Sequence, residues 1–303
     1  MQNQQITCSG LTKRFKNLTA VDGLDLEVGR GEIFGFLGPN GAGKSTTLRM
    51  MVGLIRPTRG SVRVMGHDVW REHVKAMKRV GAMIEAPAFY KYLSGRDNLR
   101  ILANTGGRYS KKDIDAALDI VGLLDRARDK VKAYSQGMRQ RLGIALAVIG
   151  KPELVLLDEP TNGLDPQGMK EVRELIRRLA AEIGLTVFLS SHLLHEVEQT
   201  CTRIAVIDKG KLIACGAVED LLRGENVYRV TVDRVDLALG LLEQTEWARI
   251  AAQSDGSLDV ELDGRGSAEL NRMLVEGGVG VSALAPIKTS LEELYMNLVG
   301  GEE

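Results

Sequence analysis

A glycine-rich stretch, Gly38 to Thr46, has the composition and spacing of a phosphate-binding loop. It follows an apolar run typical of a strand, Ile33 to Leu37, and it leads into a run with helical spacing, Lys44 to Leu54. Glycines let the backbone curl with its N–H groups pointing inward, and the helix N-terminus adds a positive dipole end for an anion. In such a loop the lysine reaches the β- and γ-phosphates and the serine hydroxyl ligates Mg²⁺, which predicts these roles for Lys44 and Ser45. A glycine-rich turn that matches by chance is disfavoured by the strand before it and the helix after it.

Two carboxylates end a second apolar run, Leu154 to Glu159. A continuous apolar run suits a buried parallel strand, and ligand chemistry gathers at the carboxyl ends of such strands. Asp158 is placed to hold Mg²⁺ through its water shell, and Glu159 is placed to polarise an attacking water. Acid pairs at strand ends are also common as helix caps. Because Pro160 follows directly and the phosphate-binding loop supplies the partner motif, the pattern favours catalysis.

Two single residues are ambiguous on position alone. Phe15 lies on a short polar connection upstream of the phosphate-binding loop, in a chain with 4% aromatic residues. It is suited to stacking on a base, or equally to folding back onto the core. His192 follows the predicted strand Leu185 to Leu189, where a lone histidine is more often structural than catalytic.

Composition narrows the class of protein. The chain has 303 residues, 44% hydrophobic and 26% charged, which is enough for about two soluble domains. With 40 basic and 40 acidic residues, it lacks the basic excess of a broad nucleic-acid-binding face, so no nucleic acid is expected as a partner. Three scattered cysteines, Cys8, Cys201 and Cys215, have no metal-ligand spacing and indicate reduced cytosolic thiols.

The sequence predicts a cytoplasmic protein. No apolar run approaches the roughly 20 residues that span a bilayer, and the longest is Leu142 to Ile149. The polar start, Met1 to Gln5, is not a signal peptide. If the protein works at a membrane, another component must hold it there.

Patterning predicts a first domain over residues 1–223. Ile6 to Val28 alternates as antiparallel strands do, and Ser94 to Ile149 is almost entirely helical. Ser94 and Ser110 each stand three residues before an aspartate, as at the start of a capped helix. A helical subdomain, about 88–150, is therefore expected between strands of the nucleotide-binding sheet.

A second domain is predicted over residues 224–303. Its order from Val227 to Val299 is β-α-β-β-α-β-α, a small ferredoxin-like α+β unit with an extra helix. It carries no catalytic constellation. A regulatory or docking module and a purely stabilising appendage both stay open.

Taken in order, the motifs resemble those of the ATP-binding subunit of an ABC transporter, over residues about 4 to 222. Gly38 to Thr46 is similar to its Walker A, Leu154 to Glu159 to its Walker B, and Asn162 to Asp165 to its D-loop. Ser135 to Arg139 stands where the family signature belongs. The resemblance implies the α/β P-loop NTPase fold of the ABC type, with a RecA-like core, an antiparallel β subdomain and a helical subdomain.

The resemblance also implies residue roles toward ATP and Mg²⁺. Catalysis would fall to Glu159 as general base, with His192 at the switch position and Lys44. The implied nucleotide-binding residues are Phe15, Gly38, Pro39, Asn40, Gly41, Ala42, Gly43, Lys44, Ser45, Thr46, Thr47, Ser135, Gly137 and Asp165. The implied metal residues are Ser45, Glu85 at the Q-loop position, and Asp158.

A second ATP-binding subunit is implied, either another copy of this chain or a related one. Ser135 and Gly137 are expected to open a helix, Met138 to Ile149, whose N-terminus presents a hydroxyl and free N–H groups. In the family this site faces the γ-phosphate on the partner subunit, so that two ATP molecules lie between two domains. Asp165 would couple the two sites.

Two positions depart from the common family pattern. Glu85 stands where glutamine is usual, and it adds a negative charge near the phosphates while still offering an oxygen to Mg²⁺ or its water. Gln136 stands where glycine is usual, and it adds a side chain where the backbone must approach phosphate.

Three segments are similar to the bacitracin and lantibiotic exporter branch: Met83 to Tyr90, Tyr134 to Met138, and Ser290 to Tyr295. That branch implies a separate integral membrane permease. Its docking site would lie in the aromatic segment Pro87 to Leu93, unless this segment is buried within the helical subdomain. The residues predicted nearest the permease are Pro87, Phe89, Tyr90 and Leu93.

The function predicted is ATP hydrolysis that energises export of an antibiotic, peptide or other drug-like or lipid substrate, peripherally on the cytoplasmic face of the membrane. Two alternatives stay open. One is a soluble ABC-type ATPase of DNA repair or translation without a permease, although the coiled-coil insertions or tandem cassettes usual there are not seen. The other is a nucleotide-regulated binding module with weak hydrolysis, against which Lys44, Asp158, Glu159 and His192 all count.

Overall fold

The computed structural model describes residues 4–85, 87–222, 227–254, 256–287 and 290–299. The chain divides into two compact units, with the boundary between Val218 and Glu219. The predicted boundary at Gly224 lies outside the described residues.

The strands are β1 (Gln4–Phe15), β2 (Leu18–Gly29), β3 (Ile33–Leu37), β4 (Arg59–Val64), β5 (His67–Asp68), β6 (Val80–Met83), β7 (Leu154–Leu157), β8 (Thr186–Ser191), β9 (Arg203–Asp208), β10 (Lys211–Ala217), β11 (Val227–Val232), β12 (Ala248–Ser254), β13 (Ser257–Leu262) and β14 (Val281–Pro286). The helices are α1 (Lys44–Met51), α2 (His73–Met77), α3 (Gly95–Ala103), α4 (Lys111–Ile120), α5 (Gln136–Val148), α6 (Pro166–Ile183), α7 (Leu194–Thr200), α8 (Val218–Leu221), α9 (Val235–Glu243), α10 (Ser267–Glu276) and α11 (Leu291–Val299).

Within its described residues, the first unit contains two sheets. The smaller has the order β2-β1-β4-β5 and is antiparallel, which confirms the alternation predicted between Ile6 and Val28. The larger has the order β10-β9-β3-β8-β7-β6; β9, β3, β8, β7 and β6 run parallel, and β10 pairs antiparallel with β9. Every residue of β3, β7 and β8 is buried, as continuous apolar patterns predict for central parallel strands.

Parallel register brings the functional segments to one edge of the larger sheet. Leu37 pairs with Ser191, and Leu157 pairs with Leu189. The loops that follow β3, β7 and β8 therefore begin side by side. The rings of Phe34 and Phe188 stack at 5.6 Å beneath this edge and fix the spacing of β3 and β8.

Three helices, α3, α4 and α5, lie in the chain between β6 and β7, which are neighbours in the sheet. This confirms an inserted helical segment. Both predicted caps are present, because the Ser94 and Ser110 hydroxyls accept hydrogen bonds from the N–H groups of Asp97 and Asp113. Each such cap contributes about 1 kcal/mol to stability.

The second unit is built on an antiparallel sheet of order β12-β13-β11-β14. Numbered within the unit, this order is 2-3-1-4, and with α9 and α10 on the crossovers it is the ferredoxin-like topology predicted. Its core packs Leu242, Leu270 and Leu274 of the helices against Val230 and Val260 of the sheet.

Among the described residues, no helix combines the length and the apolar character needed to cross a membrane.

Candidate functional site

The loop between β3 and α1 is shaped by its glycines. Gly43 precedes α1 with φ 105°, and a Cβ atom there would lie 2.3 Å from the carbonyl oxygen of Ala20. Gly41 has φ 86°. No other residue type fits Gly43 without displacing backbone, so the glycine is required by geometry as well as by conformation.

Lys44 is held at the centre of this loop. Its ammonium is buried and donates to the carbonyls of Gly38 at 2.7 Å and Pro39 at 3.2 Å. A buried lysine is costly unless it is paired, so this cation needs an anion close by.

A cavity of about 360 Å³ opens over the loop. Its walls are Phe15, Leu18, Ala20, Asn40, Gly41, Gly43, Lys44, Ser45, Thr46, Glu159 and Asn162. Phe15 is 42% exposed, with Lys13 Nζ 4.9 Å from its ring centre, so its ring lies on the cavity wall and is not folded into the core. Thr47, also predicted to bind nucleotide, is fully buried, and its hydroxyl donates to the Gly43 carbonyl at 3.0 Å.

Three titratable side chains from three segments meet beside this cavity. Lys44 Nζ lies 3.2 Å from Glu159 Oε1, and His192 Nδ1 lies 2.6 Å from Glu159 Oε2. Glu159 is thereby held between the lysine of the loop and the histidine that follows β8. The structure thus brings together the three residues predicted to be catalytic.

Glu159 has a backbone conformation unusual for its residue type. Its φ is 50°, in the left-handed region that few non-glycine residues occupy. Its N–H donates to Ser190 Oγ at 2.9 Å, and its carbonyl accepts from Asn162 N at 3.1 Å. Residues held in such conformations cluster at functional sites, where surrounding contacts fix them.

Ser190 is a site residue that the sequence analysis missed. Its hydroxyl donates to Asp158 Oδ1 at 2.6 Å while accepting from Glu159 N, so one side chain orients both carboxylate residues. The sequence shows a serine directly after the predicted strand Leu185 to Leu189, but the pairing of β8 with β7 that places it beside Asp158 is seen only in the structure.

A second cavity, of about 470 Å³, shares Glu159 and Asn162 with the first and is also lined by Glu85, Pro87, Gln136, Arg139, Gln140, Asp158 and Gly163. Glu85 lies on its wall with φ 72°, and its carboxylate is ion-paired with the guanidinium of Arg49 on α1. Its predicted contact with Mg²⁺ stays a prediction.

The signature residues and the D-loop residue share a third cavity, of about 380 Å³. Ser135 caps α5 by accepting from Met138 N at 3.2 Å, and Asp165 caps α6 by accepting from Gly168 N at 3.1 Å. Gly137 is buried between them. Helix α5 begins at Gln136, two residues before the predicted start.

Gln136 has a definite contact. Its side-chain amide donates to the carbonyl of Asn162 at 3.5 Å and covers Gly163, where a Cβ atom would lie 2.7 Å from Gln136 Nε2. The residue that replaces the usual glycine therefore links the start of α5 to the loop before α6.

The aromatic segment after Glu85 is partly on the surface. Tyr90 is 57% and Tyr92 is 79% exposed, while Pro87, Phe89 and Leu93 are half-buried. Fully buried Asn98 fixes the backbone of Tyr90 with two hydrogen bonds, at 2.8 and 3.0 Å. Tyr90 and Tyr92 are therefore not buried within the helical segment. Ala86 lies outside the described residues.

Comparisons with known proteins agree with this geometry. A family model described as "ABC transporter" matches residues 21–162. The chain is 41% identical over 291 residues to the uncharacterized ABC transporter ATP-binding protein YhcH of Bacillus subtilis (strain 168), covering 96% of this chain and 94% of that relative. It is 40% identical over 298 residues to the bacitracin transport ATP-binding protein BcrA of Bacillus licheniformis, covering 98% and 97%. A solved structure of an ATP-binding subunit of an ABC transporter is 27% identical, with a TM-score of 0.63, and covers 72% of this chain and 92% of that one.

Proposed function

The chain belongs to the ATP-binding subunits of ABC transporters, and from that premise we propose that its ATP hydrolysis drives export of an antibiotic or a similar peptide or drug-like molecule through a separate permease. The substrate class is supported by the bacitracin transport relative, which matches nearly the whole chain. The observation that carries the ATPase role is the contact of Lys44 and His192 with Glu159.

The nucleotide would bind over the loop between β3 and α1. The phosphates fit the N–H groups of the loop and the Lys44 ammonium, and the base fits the exposed face of Phe15. Thr47 is less suited to contact, since its hydroxyl is engaged within α1.

The residues present fit Mg²⁺, which prefers hard oxygen ligands and usually binds through one or two protein groups plus phosphates. Ser45 offers a hydroxyl on the cavity wall, and Asp158 keeps Oδ2 beyond the oxygen bonded to Ser190. When bound there, the ion would neutralise charge on the phosphates. Glu85 could join these ligands only by leaving Arg49.

In the proposed hydrolysis, Glu159 Oε1 is the atom that accepts the proton of the attacking water. When the ATP phosphates bind the Lys44 ammonium, they displace Glu159 Oε1, which can then accept this proton. The water oxygen bonds to the γ-phosphorus, the bond to the ADP oxygen breaks, and phosphate leaves. His192 contacts Glu159 at Oε2. In the proposed mechanism it also holds the γ-phosphate.

The site is completed by a second subunit, which is this chain or a related one. Ser135 and Gly137, at the N-terminus of α5, offer the partner's γ-phosphate N–H groups and a positive dipole end. Asp165 lies in the same cavity, so the loop before α6 is suited to report between the two sites.

Tyr90 and Tyr92 support a permease contact, because both are large and exposed and because Asn98 fixes the backbone of Tyr90. Such a contact would place the chain on the cytoplasmic face of the membrane.

Genetic complementation in the organism that carries the coding sequence tests the proposal. Deleting the coding sequence is expected to raise sensitivity to a panel of bacitracin-type peptides and other membrane-active antibiotics, and the wild-type chain restores resistance. Glu159→Gln is expected to restore none, and the Tyr90→Ala/Tyr92→Ala variant little, although its ATP binding stays intact. Ile183→Ala, an exposed apolar residue elsewhere, is the matched control and should complement fully. Unchanged sensitivity across the panel after deletion contradicts the assigned export role.

A further inference from the structure

We infer that Arg49 is the counter-charge that lets a glutamate occupy position 85 beside the nucleotide site. The inference rests on the proposed nucleotide site and adds a residue that no motif assigns. Glutamine, the usual residue there, needs no such partner, whereas a carboxylate does.

The contact joins two segments that border the site. Arg49 lies in the last turn of α1, the helix that begins at Lys44, and its Nη2 donates to Glu85 Oε1. Arg49 stands five positions after Lys44, so its Cα atom lies about 7.5 Å further along the helix axis. The phosphate-binding helix thereby contacts Glu85, two residues beyond the end of β6.

The charges around the second cavity show why the pairing matters. Three carboxylates line this cavity: Glu85, Asp158 and Glu159. Glu159 is paired with Lys44 and Glu85 with Arg49, while in the described part of the chain Asp158 has a hydroxyl partner, Ser190, but no ion-pair partner. Arg139 also lines the cavity, with its Nη1 donating to the Tyr134 carbonyl.

Nucleotide binding would change this balance of charges around the cavity. It brings several negative charges to the cavity edge and takes Lys44 away from Glu159. An unpaired Glu85 would then repel the phosphates through the cavity, whereas a paired one leaves Asp158 as the carboxylate available to the nucleotide's metal.

The exposure of the pair argues against a purely structural role. The Arg49 side chain is 33% and the Glu85 side chain 64% exposed, and ion pairs this open contribute little to folding. Glu85 nevertheless sits at φ 72°, a conformation that a non-glycine residue keeps only when its surroundings fix it. Arg49 is the partner seen to fix its side chain.

A double-mutant cycle on nucleotide binding tests the inference. The full-length chain and its Arg49→Gln, Glu85→Gln and Arg49→Gln/Glu85→Gln variants are titrated calorimetrically with Mg·ADP and with a non-hydrolysable Mg·ATP analogue. Arg49→Gln is expected to weaken binding of the analogue about three- to tenfold at low salt and less at high salt, because it leaves Glu85 uncompensated. The double variant is expected within about twofold of wild type, and Glu85→Gln alone at wild-type affinity or tighter.

Arg100→Gln is the matched control. It removes a similarly exposed ion pair, 2.9 Å long, to Asp97, which does not line the cavity, and should leave affinity unchanged. Equal affinity of Arg49→Gln and wild type, equal weakening of the single and double variants, or weaker binding in Glu85→Gln would each overturn the inference. If Arg49→Gln does not fold, the Glu85→Gln affinity decides.

Lys44→Ala separates this inference from the proposed site. It should abolish binding of both nucleotides. If Lys44→Ala binds normally, the nucleotide site itself is misassigned; if it fails to bind while Arg49→Gln is normal, only the role of Arg49 is wrong.

Discussion

Lys44 Nζ lies 3.2 Å from Glu159 Oε1, so the cation suited to phosphate and the carboxylate suited to water activation neutralise each other. Both side chains are largely buried, and their contact leaves neither charge unpaired. On the proposed mechanism, nucleotide phosphates compete with Glu159 for the same ammonium. Binding of ATP would therefore release the carboxylate oxygen that hydrolysis needs, at the moment when the substrate is in place.

Ser190 should matter for both stability and turnover. Ser190→Ala removes the donor to Asp158 Oδ1 and the acceptor for Glu159 N, leaving buried polar groups unsatisfied at a cost of about 1–3 kcal/mol in the free energy of unfolding. Because both carboxylate residues lose their orientation, kcat is expected to fall about tenfold or more.

The control for that experiment is Ser110→Ala, which removes the cap of α4. It should lower the free energy of unfolding by about 1 kcal/mol and leave ATP turnover unchanged. Chemical denaturation and phosphate release measure the two quantities. Wild-type turnover in Ser190→Ala would contradict the orienting role.

Phe15 should contribute to binding of the base and not of the phosphates. Phe15→Ala is expected to lose the stacking energy of one base, about 1–3 kcal/mol, and so to weaken Mg·ADP binding at least several-fold. Phe15→Trp should retain it. Pyrophosphate, which has no base, is the internal control: equal weakening for pyrophosphate and ADP would show that the ring supports the loop instead.

The stability of the second unit is expected to depend on pH. Arg229 donates to Asp259 at 2.7 and 2.8 Å, and this pairing holds the pKa of the Asp259 carboxyl below its usual value of about 3.9. A lowered pKa stabilises the folded unit above the unfolded-state pKa, and this stabilisation is lost as pH falls through the folded-state value.

Trp247 provides the measurement, since the chain has two tryptophans and Trp70→Phe leaves Trp247 as the reporter of the second unit. Unfolding followed by its fluorescence should become easier below about pH 4 in the Trp70→Phe chain. Adding Arg229→Gln should flatten this dependence. An unchanged slope would show that the pair does not set it.

The structural features that the sequence predicted are those that depend on local patterns. The apolar runs of β3 and β7, the loop from Gly38 to Thr46 and the caps at Ser94 and Ser110 depend on residues close in the chain, and all are present. The chain order of strands and helices in the second unit, β-α-β-β-α-β-α, was predictable for the same reason.

What the sequence left open depends on which strands and helices are neighbours. The contacts of Ser190 with Asp158, of Arg49 with Glu85 and of Gln136 with Asn162 join residues 26 to 36 positions apart. The left-handed backbone of Glu159 could not be read from its residue type, because the hydrogen bonds of its neighbours hold it there.

The most direct test of the central claim is ATP hydrolysis and assembly of Glu159→Gln. The variant keeps the size and hydrogen-bonding ability of the side chain, but it cannot accept the proton from water. Phosphate release by the wild-type and variant chains, saturated with Mg·ATP, is compared alongside their molar masses. The account predicts near-complete loss of hydrolysis and an ATP-dependent dimer that persists in the variant. Wild-type turnover by Glu159→Gln would contradict it.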